Sequence, residues 1–139
     1  MSAEIDREKT KIIAEWRQRA ADDLESAAVI LRETDNYEIS VYHAHQAVEK
    51  LLKAELMTCG KTFRFIHDLN ALLDQVLEDR ADEGITEKVS FLNSLYPRLR
   101  YPTGDEVSKL QAEKCLDIAK DVFSRFNERK NGRTEKRKN

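Results

Sequence analysis

Apolar residues recur at three- and four-residue steps along most of this chain, and that spacing constrains its fold more than any other feature. Ile13, Trp16, Ala20, Leu24, Ala27, Ala28 and Leu31 form one such stripe from about Glu8 to Arg32. A 3.6-residue period puts them on one face of a helix. A second stripe follows, with Val41, Ala44, Val48, Leu51, Leu52 and Leu56 between Tyr37 and Cys59. Asn36 is a capping candidate before it, and Gly60 is a stop signal after it. Leu69, Leu72, Leu73, Val76 and Leu77 predict a short third helix that Asp68 can cap. Gly84 reads as a break before a fourth, from Thr86 to about Leu95, with Val89, Leu92 and Leu95 on one side.

The spacing predicts that the last helix starts after Thr103. There Thr103 and Glu106 have the T-x-x-E form of a capping box. Val107, Leu110, Cys115, Ile118, Ala119, Val122 and Phe126 should face inward.

The expected fold is therefore all-α: an up-and-down bundle of about five helices, four-helix-bundle-like, because consecutive amphipathic helices with short connections pack antiparallel. Only 4 glycines and 2 prolines among 139 residues leave little for the turns of a β fold. One domain is expected over 1–126, with 127–139 a basic, frayed tail.

No apolar run approaches the ~20 residues of a membrane span. The start, MSAEIDREKT, has no apolar signal core. A cytoplasmic protein is expected. Cys59 and Cys115 form no CxxC pair and read as two buried thiols.

The net charge of -2 hides an asymmetry. From Arg125 onward seven basic residues face two acidic ones, so the tail carries +5 and the remainder -7. Such a tail can hold nucleic acid or an acidic partner. The bland reading is a solvated end that the acidic body keeps away from polyanions.

Few motifs carry chemistry. "GKT" at 60–62 fails as a phosphate loop, because the required earlier glycine is replaced by Glu55 and no strand precedes it. His43 and His45 are two apart on one helix, about 200° around it, so one faces the bundle and the other does not. His67 should pack back on the second helix. No spacing of histidines and carboxylates predicts a metal site, and no cofactor is expected. Glu49 and Lys53 have the favourable i, i+4 spacing for an ion pair. Lys50 and Lys53 could equally extend a phosphate-binding surface.

The sharpest candidate is "YPRLRYP", 96–102, which holds both prolines. Proline fixes its own φ and keeps the preceding residue extended. That makes a stiff strap on which Arg98 and Arg100 share a side, suited to a phosphate or carboxylate. Tyr101 could stack on a base. The competing reading is that both arginines tie helix carboxylates together.

The segments "W...A..DLESA" (16–27), "YHAHQAVEKLLKA" (42–54), "HDL" (67–69) and "RYP" (100–102) together resemble the HEPN domain family, the higher eukaryotes and prokaryotes nucleotide-binding domains. The resemblance covers about Ile13 to Phe126. It implies a helical bundle, often a homodimer, akin to the substrate-binding subunit of small nucleotidyltransferases. It also implies a minimal nucleotidyltransferase partner, in several cases within a toxin–antitoxin module.

One branch of the family is metal-independent ribonucleases marked by an Arg, four to six intervening residues and then a His. In this chain Arg98, Arg100 and Arg64 are each followed at that distance by other residues, so no catalytic residue is assigned. The expectation is a non-catalytic protein that dimerises and binds a nucleotide, RNA or a nucleotidyltransferase. Arg98, Arg100 and Tyr101 would make the main contact, with Lys50 and Lys53 in addition and His43, His45, His67 and Arg64 secondary. The alternatives are a ribonuclease with a rearranged Arg/His site, or a purely structural interaction module.

Overall fold

The computed structural model describes residues 2–63, 67–78, 80, 82–95 and 106–138, with side chains as far as Phe126. Among them are five helices and no strand: α1 (Ser2–Glu33), α2 (Tyr37–Thr58), α3 (Leu69–Leu77), α4 (Glu83–Ser94) and α5 (Lys109–Lys138). The all-α bundle expected from the periodicity is what forms.

α1 and α2 lie antiparallel and close. Ala20 and Ala27 are fully buried, and their small size brings the backbones together. The Ser40 hydroxyl donates to the Ala27 carbonyl across the gap at 2.8 Å, which satisfies a buried polar group. Val41, Ala44, Val48, Leu51 and Leu52 of α2 form the middle of the core. α2 supplies the axis of the bundle because its apolar arc is wide enough to meet α1, α3 and α5.

α2 ends where Gly60 takes a positive φ of 73°. The Lys61 N–H then reaches the Leu56 carbonyl at 2.9 Å, and the Gly60 N–H reaches Met57 at 3.0 Å. This paired closure satisfies carbonyls that the helix end leaves open. His67 lies against Glu49 and the Lys61 ammonium donates to the Gln75 carbonyl, so α3 runs in the same sense as α2. α4 then returns antiparallel to α3, and α5 is antiparallel to α4 through Lys88–Asp121 and Arg125–Asp82.

Asp68 caps α3 as expected, accepting from Asn70 N at 3.0 Å and Ala71 N at 3.3 Å. All five apolar positions expected to face inward on α3 are buried. Four expectations are corrected. Gly84 lies inside α4 and does not break the chain before it, because Asp82 caps that helix from Ile85 N at 3.2 Å. α5 starts at Lys109, later than expected. Its capping box is Ser108 with Gln111, whose side chains reciprocate at 3.1 and 2.9 Å. Leu110 therefore falls in the exposed first turn and is 77% accessible. Cys115 is buried, but Cys59, at the end of α2, is exposed.

Candidate functional site

The least ordinary chemistry sits around Glu49, on the middle of α2. Glu49 and Lys53 are both buried, which charged residues seldom are unless paired. Here they are paired: the Lys53 ammonium donates to Glu49 Oε2 at 3.0 Å, one helical turn away. Trp16 of α1 and Phe63 of the connector flank the same ammonium, with ring centroids 5.8 and 5.4 Å from it. The two rings meet edge to face at 5.9 Å. Taking two charges from water is costly, and the cost is offset when every polar atom finds a partner and the cation faces π surfaces.

Glu49 Oε1 is engaged as well. It lies 3.0 Å from His67 Nδ1. An ionised carboxylate only accepts, so the imidazole carries its proton on Nδ1 there. The His67 side chain is 52% exposed while Glu49 is 6% exposed. A buried carboxylate thus fixes the orientation of a histidine at the surface.

Asn93, in the last turn of α4, closes the cluster. Its Oδ1 accepts from the Leu69 amide at 3.1 Å, and its Nδ2 donates to Asp68 Oδ1 at 3.0 Å. His45 lies beneath, fully buried. Burial drives its pKa down to about 4, although the Glu49 charge and the Asn93 side chain pull the other way. His45 is consequently a neutral core group at physiological pH.

A second polar cluster joins α1 to α2. Asp23 accepts from Lys50 Nζ through Oδ2 at 2.6 Å and lies 3.0 Å from His43 Nδ1 through Oδ1. His43 and His45 diverge as their spacing requires. Lys50 and Lys53 also diverge: one ammonium turns to Asp23, the other is enclosed on Glu49. Farther along, Arg17 pairs with Glu55 at 2.6 Å.

The structure thus brings together His67 and Lys53 through Glu49, with His45 close by, and places His43 with Lys50 apart from them. Arg64, Arg98, Arg100 and Tyr101 lie outside the described residues. The described part breaks off at Leu95, two residues beyond Asn93. Among the described residues, no three His, Cys, Asp or Glu side chains gather as a metal would need. Nor is any helix there long and apolar enough to cross a membrane.

Sequence reasoning did not find Asp23, Asn93, Trp16 or Phe63 as partners. The i, i+4 spacing of Glu49 and Lys53 was a usable signal. Nothing local marks Asn93, whose role comes from α4 meeting the start of α3.

An all-helical bundle with a buried carboxylate–ammonium pair holding a surface histidine describes the class of the protein. The chain belongs to the HEPN domain family, whose profile matches residues 13–129. It is 34% identical over 122 residues to a Methanocaldococcus jannaschii protein named "Putative toxin MJ1304", covering 76% of this chain and 80% of that one. The crystal structure of TT1696 from Thermus thermophilus superposes with a TM-score of 0.71 at 25% identity, over 81% of this chain and 93% of the other. That of ST0689, an archaeal HEPN homologue, gives 0.65 at 24% identity, over 81% and 92%.

Proposed function

We propose that this HEPN protein is the non-catalytic, dimeric binding component of a two-component module of toxin–antitoxin type. It takes a nucleotide, or a nucleotide-bearing minimal nucleotidyltransferase, on the stretch that holds Arg98, Arg100 and Tyr101. The observation that carries this reading is the Glu49 cluster. It sets a fixed polar wall, faced by His67 and braced by Asn93, two residues before the described part breaks off at Leu95. The arginines hold phosphate, Tyr101 stacks on the base, and His67 adds a directed contact. Lys53 acts from behind the wall by holding Glu49. Lys50, 27% exposed on Asp23, is a peripheral contact. The toxin name of the Methanocaldococcus jannaschii relative supports the type of module.

Calorimetry with nucleotides and short RNA tests this reading. Saturable binding that disappears in Arg98→Ala/Arg100→Ala, with the bundle still folded, is the expected result. A wild-type protein that binds none of them makes the stretch an architectural clamp instead.

One observation favours a second reading, a ribonuclease with a rearranged site. A half-exposed histidine oriented by a buried carboxylate has the arrangement of a general base. RNA left intact by purified protein, with or without metal, removes it.

A further inference from the structure

α5 runs on to Lys138, twelve residues past Phe126, whose side chain closes the core. At ~1.5 Å per residue this extension reaches about 18 Å beyond it. It starts at the end of the bundle where Arg125 pairs with Asp82. Its last residues also lie beyond the 13–129 span of the family match. Residues 127–139 contain Arg129, Lys130, Arg133, Lys136, Arg137 and Lys138 against Glu128 and Glu135, and no hydrophobic residue at all.

Helical register sorts these charges. Turning ~100° per residue, the positions of all the basic residues from Arg125 to Arg137 fall within an arc of about 140°. The positions of Glu128 and Glu135, seven apart, fall together outside that arc. Arg129, Arg133 and Arg137 stand at successive i, i+4 positions, where like charges destabilise a helix by roughly 0.2–0.5 kcal/mol per pair. Gly132 adds a cost of about 1 kcal/mol. A ligand that places anions along this arc removes the repulsion.

Two classes of partner supply anions, and composition separates them. A protein interface draws its affinity from buried apolar and aromatic anchors. A stretch with none offers a protein little to grip. A polyanion needs none, because releasing its counterions drives the association. The stretch also lacks an aromatic residue on which bases could stack, so the contact would not read sequence.

The -6 charge of the remaining chain opposes a polyanion only at short range. Screening at physiological salt has a length of ~8 Å, which most of the 18 Å extension exceeds.

We infer that the C-terminal extension of α5 grips the phosphate backbone of a nucleic acid, as a second contact separate from the Arg98–Arg100 stretch. The test is fluorescence anisotropy of the full chain with a labelled 20-nucleotide RNA and a labelled 20-base-pair DNA duplex. Four phosphate contacts on the single strand predict roughly 50-fold weaker binding at 200 mM than at 50 mM salt. Arg129→Gln/Arg133→Gln/Arg137→Gln, which keeps good helix formers, should bind at least tenfold more weakly and with a slope about 2 smaller. Tight binding of either nucleic acid supports the inference, and their ratio tells which one the extension prefers.

The inference is overturned if wild type binds neither at 50 mM salt, if the triple variant binds as well as wild type, or if a labelled polyglutamate peptide binds as tightly. A mononucleotide, too short to span both sites, should lose its binding in Arg98→Ala/Arg100→Ala and keep it in the triple variant, so failure of either site is read separately from the other.

Discussion

Asp23 and Glu49 each hold one lysine and one histidine, at nearly equal distances, yet they are different objects. Asp23 is 14% exposed, and its partners Lys50 and His43 are 27% and 28% exposed. Water still solvates that cluster, so its ions are partly screened and its net worth is small. Glu49 and Lys53 are 6% and 5% exposed, roofed by Trp16 and Phe63. There the two charges depend on each other, and losing either strands the other in an apolar surround. The same three kinds of group, a carboxylate, an ammonium and an imidazole, therefore make an interhelical tie in one place and a fixed polar wall in the other. Burial, not composition, separates them.

The largest expected effect follows directly. Glu49→Ala should destabilise the fold by about 3–5 kcal/mol in urea unfolding, because Lys53 is left as a buried, uncompensated charge. If Glu49→Ala/Lys53→Met regains most of that loss, the penalty was the stranded ion and the contrast is sharpened. A loss under about 1 kcal/mol would erase the contrast.

His45 adds a pH dependence to the buried side. The unfolded chain takes up its proton near pH 6.5, and the folded chain only near 4. Between those values the unfolded state binds more protons, so stability falls as pH falls through that window and is unaffected above it. The loss should approach about 3 kcal/mol by pH 4, and His45→Gln should flatten that part of the profile. Chemical denaturation at a series of pH values measures both.

Asp23→Asn should cost less, about 1 kcal/mol or below, and the cost should shrink further at high salt. A loss equal to that of Glu49→Ala would show that the α1–α2 tie is not solvated after all. The smallest test concerns the thiols. Burial pushes the Cys115 thiol up to about 12, whereas Cys59 is exposed. A disulfide reagent should label one thiol per native chain and two after unfolding.

How much of this could be read from the sequence depends on how local each cause is. The α3 stripe was legible because five apolar residues at helical spacing have one way to be buried. The start of α5 was not, since both Thr103–Glu106 and Ser108–Gln111 fit a capping box and only the fold selects between them. Leu110 followed that choice to the surface. The Glu49–Lys53 pair was legible from its i, i+4 spacing, but its burial was not, because Trp16 and Phe63 come from other parts of the chain. Asp23 and Asn93 were invisible for the same reason: their roles exist only once α1 meets α2 and α4 meets α3. The arginines that the sequence favoured most lie beyond the described residues and stay a proposal.

Asn93 has one further consequence. A first-turn amide such as that of Leu69 ordinarily has no carbonyl partner within its own helix and exchanges its proton with water rapidly. Here that proton is held by a side chain from the last turn of α4. The two helix ends then open as one cooperative unit, and deuterium should enter Leu69 at the pace of the end of α4. Replacing Asn93 by Ala would uncouple the two clocks while both helices remain.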